Sequence, residues 1–224
     1  MRLVKPSHEI LEVMGAKLAE YESLKLIELA GRTCYKSESP LTQESAEVFV
    51  PKILRSGHES VIEHSAMSVR FICDRGVTHE IVRHRLCAFS QESTRYVNYK
   101  GGCCFVIPPW INITEKEFKY TNIEGIYFYK DADMIDNTWI SSMCQCEENY
   151  IDLLEEGWSP QQARSVLPNS TKTEIVVTAN FREWRHIFRL RCAKPAHPQM
   201  RELMIPLHKE CKKLIPIIFD SIEY

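Results

Sequence analysis

AMSVRFICD, residues Ala66–Asp74, is the stretch that decides the fold, because the hydrophobic pattern changes there from helical spacing to a period of two. Apolar side chains occupy every second position, at Met67, Val69, Phe71 and Cys73. Alternation of this kind is typical of a strand that buries one face. We therefore predict a strand over 66–74, followed by a turn over 74–76.

Upstream of this strand, the apolar residues recur mostly at helical spacing. We predict a short strand over 1–6 and helices over 8–31 and 43–55. Pro51 falls inside the second helical pattern and should kink that helix or divide it in two, because proline lacks the backbone N–H and clashes with the preceding turn.

Downstream, a short helix over 77–86 is predicted to carry Arg83-His84-Arg85 near its C-terminal end. Cations are favoured there because the helix macrodipole is negative at that end. This explains the two arginines but not the longer segment that they open, RHRLCAFSQESTRY, in which Glu92 is the only acid. Such a density of cationic and hydroxyl groups indicates a site for anions.

The second half of the chain mixes helices, a strand and irregular segments. Residues 159–162, SPQQ, form a capping box with proline at the first helical position, and Pro168 ends the short helix that they start. The other elements are, in order, an irregular stretch over 101–136, a helix over 137–156, a strand over 173–179, a helix over 181–191 and a helix over 198–215 that Pro206 kinks.

Arg191 occupies an unusual position in the helix predicted over 181–191. It continues the apolar stripe formed by Trp184, Ile187 and Phe188. A charge on a stripe that faces the core is unfavourable unless a partner neutralises it. Arg191 is therefore a candidate functional residue.

Composition limits the function of the whole chain. Its 224 residues are 44% hydrophobic and carry a formal net charge of −2, which supplies a core but no basic field to attract nucleic acid. The chain has neither an apolar run that could span a membrane nor an apolar signal-peptide core, so we expect a cytoplasmic protein without membrane or nucleic-acid partners. Nine cysteines without a CxxC pair indicate reduced thiols.

Several common site chemistries fit the sequence poorly. The nucleotide signatures GxGxxG and GxxxxGK[ST] are absent. His58 and His64 do not have the spacing of zinc ligands on one helical face, and we expect no metal. Cys87 lies near arginines that could stabilise a thiolate, but its apolar neighbours favour a buried structural thiol. Ser93 has no assignable base and, near Arg95, suits phosphate binding better than nucleophilic attack.

Arg83-His84-Arg85, then seven residues, then Ser93, resembles the defining motif of the flavin-dependent thymidylate synthases. GHESVIEH (57–64), ARSVLP (163–168) and NFREWRHIFRLR (180–191) resemble further segments of that family, in the same order. The resemblance implies conversion of dUMP to dTMP with a methylene group from 5,10-methylenetetrahydrofolate and reducing equivalents from NADPH through FAD. It also implies a homotetramer with active sites assembled between subunits, and chemistry without a covalent cysteine.

The same resemblance implies roles for individual residues. Arg191 would activate uracil by stabilising ionisation at N3, a task that suits the fork of a guanidinium. The implied flavin contacts are Ser60, Arg83, His84, Arg85, Gln91, Asn180, Arg182, His186 and His58, the last of which would gate access. The implied dUMP contacts are Glu80, Arg83, Gln91, Glu92, Ser93, Thr94, Arg95, Arg191 and, from another subunit, Arg164. Glu80 and His186 stand where the family commonly has glutamine and asparagine.

We therefore expect an α+β fold, a single domain over 1–224 with a small, mainly antiparallel central sheet packed by helices. Residues 101–136 would be a variable insertion in it. Two other functions stay open. A module that binds RNA or phosphate through the RHR segment is disfavoured by the balanced charge. A flavin oxidoreductase that has lost methyl transfer has the same sequence features as the synthase.

Overall fold

The computed structural model describes residues 1–14, 22–117 and 133–224. The chain forms two compact units, each made of separate segments of the sequence. Unit 1 comprises Met1–Ser7, Ile72–Ile81 and Gln91–Ile175, and unit 2 comprises His8–Phe71, Val82–Ser90 and Val176–Tyr224. The division falls within strands rather than at a linker, since the strands predicted over 66–74 and 173–179 each contribute residues to both units.

Helices and short strands are interspersed along the described chain. Two 3₁₀ helices, Glu59–His64 and Arg164–Val166, accompany the longer elements. The elements in chain order are β1 (Arg2–Val4), β2 (Ser7–Val13), α1 (Glu22–Tyr35), α2 (Gln43–Arg55), β3 (Ala66–Asp74), α3 (Arg75–Ile81), β4 (Ala88–Gln91), β5 (Cys104–Val106), β6 (Lys116–Glu117), α4 (Met134–Glu155), α5 (Pro160–Ala163), β7 (Lys172–Asn180), α6 (Phe181–Arg191), α7 (Pro198–Leu214) and α8 (Pro216–Phe219).

Unit 1 has its core between a small sheet and α4. Among the described residues this sheet has the order β5-β1-β6, with β1 parallel to β5 and antiparallel to β6. Leu3 pairs with Phe105 at its centre, and both side chains are fully buried. Ile140 and Met143 of α4 belong to the same hydrophobic cluster. Burial of these apolar side chains is the main force that holds the unit together.

Unit 2 takes its shape from a second sheet and from α6. The described strands of this sheet have the order β2-β3-β7-β4. Helix α6 follows β7 directly and is capped by Asn180, whose side chain accepts a 2.8 Å hydrogen bond from the backbone of Glu183. On the buried face of α6, the indole of Trp184 donates to the carbonyl of Met67 in β3 over 3.0 Å. These contacts fix the helix that carries two predicted flavin residues, Arg182 and His186, and is capped by a third, Asn180.

The predicted helix over 8–31 is wrong in its first part, because Ser7–Val13 is strand β2. This strand lies beside β3 in the sheet, and the N–H of Met14 donates to the carbonyl of Ala66 over 2.9 Å. Pairing with a distant strand has overridden the local helical spacing, as tertiary context commonly does. The second part is helical from Glu22, and residues 15–21 lie outside the described part of the chain.

The helix predicted over 77–86 is also displaced. Helix α3 begins at Arg75, where we predicted a turn, and the Asp74 carboxylate accepts a 2.7 Å hydrogen bond from the N–H of Val77 in its first turn. Since α3 ends at Ile81, the RHR triplet lies in the turn that follows it. The macrodipole argument for Arg83 and Arg85 therefore does not apply.

The other predicted elements are confirmed within a few residues. The strand over 66–74 and the helix over 181–191 have the predicted bounds. The capping box holds, with the N–H of Ser159 donating to Gln162 over 2.9 Å. Helix α2 continues through Pro51 without division, and α7 through Pro206. The prediction of an irregular stretch over 101–136 is wrong in part, because β5, β6 and the start of α4 lie in it and β5 pairs with β1; its residues 118–132 lie outside the described part.

Candidate active site

Helix α6 and the turn after α3 bring together several predicted site residues within unit 2. His84 from the turn is 6% exposed and lies near three polar side chains of α6. Its Nδ1 is 3.4 Å from Oε1 of Glu183, its Nε2 is 2.9 Å from Nε of Arg191, and its ring centre is 5.9 Å from that of His186. Arg83 and Arg85 on either side of His84 are exposed.

The contacts of His84 determine where its proton lies. Arginine has no acceptor, so Nε of Arg191 donates and Nε2 of His84 accepts. A neutral imidazole that accepts at Nε2 carries its proton on Nδ1, the nitrogen beside Glu183. Burial, together with the charges of Arg191 and His186, lowers the pKa of His84 to about 4. His84 is therefore neutral at neutral pH.

Arg191 keeps its charge in the contact with His84, because a neutral imidazole does not neutralise a guanidinium. The residue is half-buried at the C-terminal end of α6, where the macrodipole favours a cation. The stripe argument expected a partner that neutralises Arg191, whereas His84 is a hydrogen-bond partner that leaves the charge of Arg191 in place. The positively charged guanidinium of Arg191 is therefore oriented by the uncharged imidazole of His84.

A more deeply buried arginine on α6 has a structural explanation. The Arg185 side chain is 4% exposed and pairs with Glu59 over 3.1 Å, while Arg189 reaches the same carboxylate over 3.0 Å. Burial opposes ionisation of Glu59, but Arg189 and Arg185 outweigh it and hold the pKa of that carboxyl below its usual value. Arg185 also donates to the carbonyl of Ile218. Sequence reasoning missed this anchor, although Glu59 lies within GHESVIEH.

Three of the predicted flavin residues line one cavity of about 640 Å³ in unit 2, namely Asn180, Arg182 and His186. Arg182 donates to Glu63 over 2.5 Å, and both side chains are about half exposed. These amide, guanidinium and imidazole groups offer hydrogen bonds to a ligand, but Glu59, Glu63 and Glu183 line the same cavity and Arg182 is paired with Glu63. The lining therefore fits the hydrogen-bonding edge of a flavin ring rather than its phosphates.

The segment GHESVIEH contains two predicted flavin residues, and both lie on the surface of unit 2. His58 is exposed, and its Nδ1 is 3.3 Å from the hydroxyl of Tyr35. Ser60 is exposed within the 3₁₀ helix Glu59–His64. Gly57 precedes them with a φ of 75°, a conformation that glycine adopts without strain and that ends α2. Neither side chain belongs to the His84 group.

Cys87 is a protonated thiol in this structure. Burial raises its pKa to about 12, and the nearby charge of Glu183 adds to the effect. A nucleophilic cysteine needs the thiolate, which is populated near neutral pH only when the pKa is lowered. All nine cysteines are free, and Cys103, Cys144 and Cys192 likewise have pKa values raised to about 12 by burial.

The predicted dUMP residues after β4 belong to unit 1. The N–H groups of Tyr96 and Val97 donate to the carbonyl of Ser93, which closes a turn. Thr94 is 5% exposed, and its hydroxyl accepts a 3.3 Å hydrogen bond from Nη1 of Arg164. Two segments that the resemblance assigns to the substrate, QESTR (91–95) and ARSVLP (163–168), thus meet within this unit.

The side chains of Gln91 and Glu92 make internal contacts. Gln91 donates to the hydroxyls of Thr78 and Thr173 over 3.0 and 3.3 Å. Glu92 accepts from the hydroxyl of Tyr99 over 2.6 Å and from the amine of Lys172 over 3.1 Å. These bonds hold the backbone of the turn, the part of this segment that the resemblance assigns to the phosphate.

Glu80 and Arg95 complete the predicted substrate set in unit 1. Glu80 is half-buried near the end of α3. Arg95 is exposed, with its guanidinium carbon 5.4 Å from the ring centre of Tyr96. The predicted site residues therefore lie in both units: one set gathers around His84 and the cavity of unit 2, another in the turn after β4 in unit 1, and His58 and Ser60 lie apart from the His84 group.

Among the described residues, His84, Glu183 and His186 could also offer ligand atoms to a metal, since one atom of each lies within 4.8 Å of the others. Two histidines and a carboxylate are a common set for zinc or iron. A metal on Nδ1 of His84 would, however, place the proton on Nε2, where Arg191 already donates. The hydrogen bonds thus favour the metal-free arrangement, and the absence of a metal stays a prediction.

Comparison with known proteins identifies the family. Residues 17–217 match the family model described as "Thymidylate synthase complementing protein". The flavin-dependent thymidylate synthase of Geobacter sulfurreducens is 33% identical over 201 residues, which cover 86% of this chain and 79% of the relative. This chain belongs to the flavin-dependent thymidylate synthase family. The protein of that name from Mycobacterium tuberculosis is 34% identical over 206 residues, which cover 88% and 79% of the two chains.

Solved structures support the fold of this flavin-dependent thymidylate synthase family member. Two crystal structures of the UMP/dUMP methylase PolB from Streptomyces cacaoi, bound with 5-Br UMP and 5-Br dUMP, superpose with TM-scores of 0.71 and 0.75. They cover 98% of this chain and 95% and 96% of theirs, at 23% and 22% identity. The predicted fold class, a single α+β domain with a small, mainly antiparallel sheet, is confirmed. No helix among the described residues has the length and apolar character needed to span a membrane.

Proposed function

We propose that this protein methylates dUMP to dTMP, with 5,10-methylenetetrahydrofolate as the carbon donor and FAD reduced by NADPH. Membership in the flavin-dependent thymidylate synthase family supports the activity and the flavin. The carbon and nicotinamide donors rest on the RHR motif. A methylene group must gain two electrons to become a methyl group, which is why the reaction needs a reductant as well as a folate.

The geometry of Arg191 is the observation that carries the proposal. Uracil C5 becomes nucleophilic when negative charge develops on the N3 and O2 edge, and a fixed cation beside that edge stabilises the charge. Arg191 is half-buried, positively charged and oriented through Nε by His84. A guanidinium can present two parallel donors to such an edge. We assign it the activation of uracil.

The thiols support a mechanism without a covalent cysteine. Attack on uracil C6 requires a thiolate, and burial raises the pKa of Cys87, the thiol nearest the RHR triplet in sequence, to about 12. Cys87 would therefore contribute less than one thiolate in about ten thousand molecules near neutral pH. Activation through Arg191 does not need that thiolate.

The flavin fits the group around α6. Asn180, Arg182 and His186 line the same cavity and would hold the cofactor by hydrogen bonds, and Arg83, His84, Arg85 and Ser60 are proposed as further contacts. His58 is proposed to gate access to it. When bound, the flavin would take a hydride from NADPH and deliver it to the transferred carbon.

The nucleotide is assigned to the turn after β4. The backbone from Gln91 to Arg95, with the hydroxyl of Ser93 and the guanidinium of Arg95, would bind the phosphate. Arg164 donates to Thr94 of the same chain, and it is proposed to reach a dUMP bound by a neighbouring subunit with the remaining donors of its guanidinium. The homotetramer is proposed from the resemblance to the flavin-dependent thymidylate synthase family. We propose that the reaction takes place in the cytoplasm.

Tritium release from [5-³H]dUMP tests the proposal. Purified protein is incubated with dUMP, FAD, NADPH and methylenetetrahydrofolate, and each component is omitted in turn. We expect release that requires dUMP and the reduced flavin, and formation of dTMP that also requires the folate. Bound flavin that oxidises NADPH without release would favour the oxidoreductase. Copurified RNA and no bound flavin would favour the nucleic-acid module.

A further inference from the structure

We propose that Glu183 is a positioning residue for Arg191 and acts through His84. The three side chains form a chain in unit 2, from Oε1 of Glu183 to Nδ1 of His84 over 3.4 Å and from Nε2 of His84 to Nε of Arg191 over 2.9 Å. The proposal rests on the proposed function, because it gives Glu183 the task of orienting the group that activates uracil.

The direction of the hydrogen bonds makes the role of Glu183 specific. A neutral histidine exists as two tautomers, and only the one protonated on Nδ1 can accept from Arg191 at Nε2. The other tautomer would point Nε2–H at the N–H of Arg191 and push the guanidinium away. A carboxylate beside Nδ1 selects the productive tautomer, because it accepts from Nδ1–H and offers nothing to a bare nitrogen.

Glu183 is placed to exert this selection. Its backbone N–H is held by the side chain of Asn180, and the residue lies in the first turn of α6, where the macrodipole favours a carboxylate. The carboxylate is 8% exposed and the imidazole 6%, so water competes little for either group. Burial raises the pKa of Glu183, whereas the charge of His186 opposes that rise. Selection of the tautomer requires the ionised carboxylate, because a protonated carboxyl could also donate to a bare Nδ1.

The 3.4 Å separation is longer than an N–H···O hydrogen bond, and we expect it to shorten to one when a ligand occupies the cavity that Glu183 and His186 both line. The contact has a structural counterpart elsewhere in unit 2, where Glu210 of α7 lies 2.9 Å from Nε2 of His8. That carboxylate is 48% exposed and belongs to no predicted site, so it provides a matched control for removing an acid from a histidine.

The experiment compares Glu183→Ala, Glu183→Gln and the control Glu210→Ala as purified flavoproteins. For each, kcat and KM for dUMP are measured by tritium release, flavin content by absorbance, and the His84 tautomer by ¹⁵N NMR of histidine-labelled protein. We expect Glu183→Ala to bind flavin and to keep the KM for dUMP. Its kcat should fall about 10- to 100-fold, as is usual when a group that orients a histidine is removed. His84 in this variant should gain the Nε2–H tautomer.

The glutamine variant separates selection of the tautomer from the size and shape of the side chain. Its amide can accept from Nδ1–H or donate to a bare Nδ1, so Glu183→Gln should lose kcat and gain the Nε2–H tautomer as Glu183→Ala does, whereas Glu210→Ala should match the wild type. An unchanged kcat in Glu183→Ala, or wild-type His84 protonated on Nε2, overturns the proposal. If Glu183→Ala does not fold, the tautomer of His84 in the wild type and the kcat of Glu183→Gln still show whether Glu183 selects the tautomer. A wild type without tritium release refutes the proposed function, and the NMR result then tests the Glu183–His84 contact separately.

Discussion

The Nε atom of Arg191 donates a 2.9 Å hydrogen bond to Nε2 of His84, so the last residue of α6 is oriented by the central residue of the RHR triplet. In sequence the two residues lie 107 positions apart. The RHR motif therefore contributes to the proposed uracil site indirectly, through its histidine, besides the flavin contacts that the resemblance assigns to it.

Replacing Arg191 by alanine tests the proposed activation of uracil. We expect Arg191→Ala to fold and bind flavin but to lose about 100- to 1,000-fold in tritium release, the usual loss when one preorganised donor to a developing charge is removed. Arg191→Lys should also be strongly impaired, because an ammonium cannot present two parallel donors. The exposed Arg55 at the end of α2 supplies the control variant, Arg55→Ala. Near-native turnover of Arg191→Ala would remove the assignment.

Replacing Cys87 by alanine tests the mechanism without a covalent thiol. Because burial raises the pKa of this thiol to about 12, its loss should leave kcat within about twofold of the wild type and should weaken only packing. Tritium release and bound flavin are measured on the same preparation. Abolished release with flavin still bound would restore a covalent cysteine.

The sequence predicted the elements whose pattern is local and strong. The strand over 66–74 alternates along its whole length, and α6 has a clear stripe, so both were predicted with the observed bounds. Strand β2 was missed because HEILEV can be read with either period, and its state depends on hydrogen bonding to β3. The end of α3 was missed for the same reason, since Val82–Leu86 has no residue that stops a helix.

The candidate site shows the same limit. The RHR motif singled out His84, and the apolar stripe of α6 singled out Arg191. Neither pattern showed that the carboxylate of Glu183, the imidazole of His84 and the guanidinium of Arg191 lie next to one another. Nor could the sequence distinguish Arg185, which is buried against Glu59, from the exposed Arg182 and Arg189. Such pairings depend on contacts between segments more than 100 residues apart, as in the 126 residues between Glu59 and Arg185.

The lowered pKa of His84 predicts a stability that depends on pH. An exposed histidine titrates near pH 6.5, whereas His84 takes up its proton near pH 4 in the folded protein. Between these values the unfolded chain binds more protons, so the free energy of unfolding falls as the pH drops from about 6.5 to 4, by an amount of the order of 3 kcal/mol. Above pH 6.5 this contribution is constant.

The measurement is urea unfolding of the wild type and of His84→Asn at pH 4, 5, 6 and 7, a series that spans both pKa values. Asparagine can accept from Arg191 without titrating, so the difference between the two curves isolates His84 from the carboxylates that titrate in both proteins. The variant should lose less stability than the wild type on acidification. Parallel curves would show that His84 is not buried in its neutral form.

The ion pairs of α6 predict two very different stability effects. Removing Glu59 leaves Arg185 buried at 4% exposure without its carboxylate, and Glu59→Ala should lower the free energy of unfolding by about 3–5 kcal/mol. Glu63→Ala breaks the pair with Arg182, whose side chains are 42% and 52% exposed, and should cost about 0–1 kcal/mol. Urea unfolding at neutral pH measures both. Equal losses would contradict the difference in burial, and a small loss for Glu59→Ala alone would mean that Ile218 and Ser221 suffice to hold Arg185.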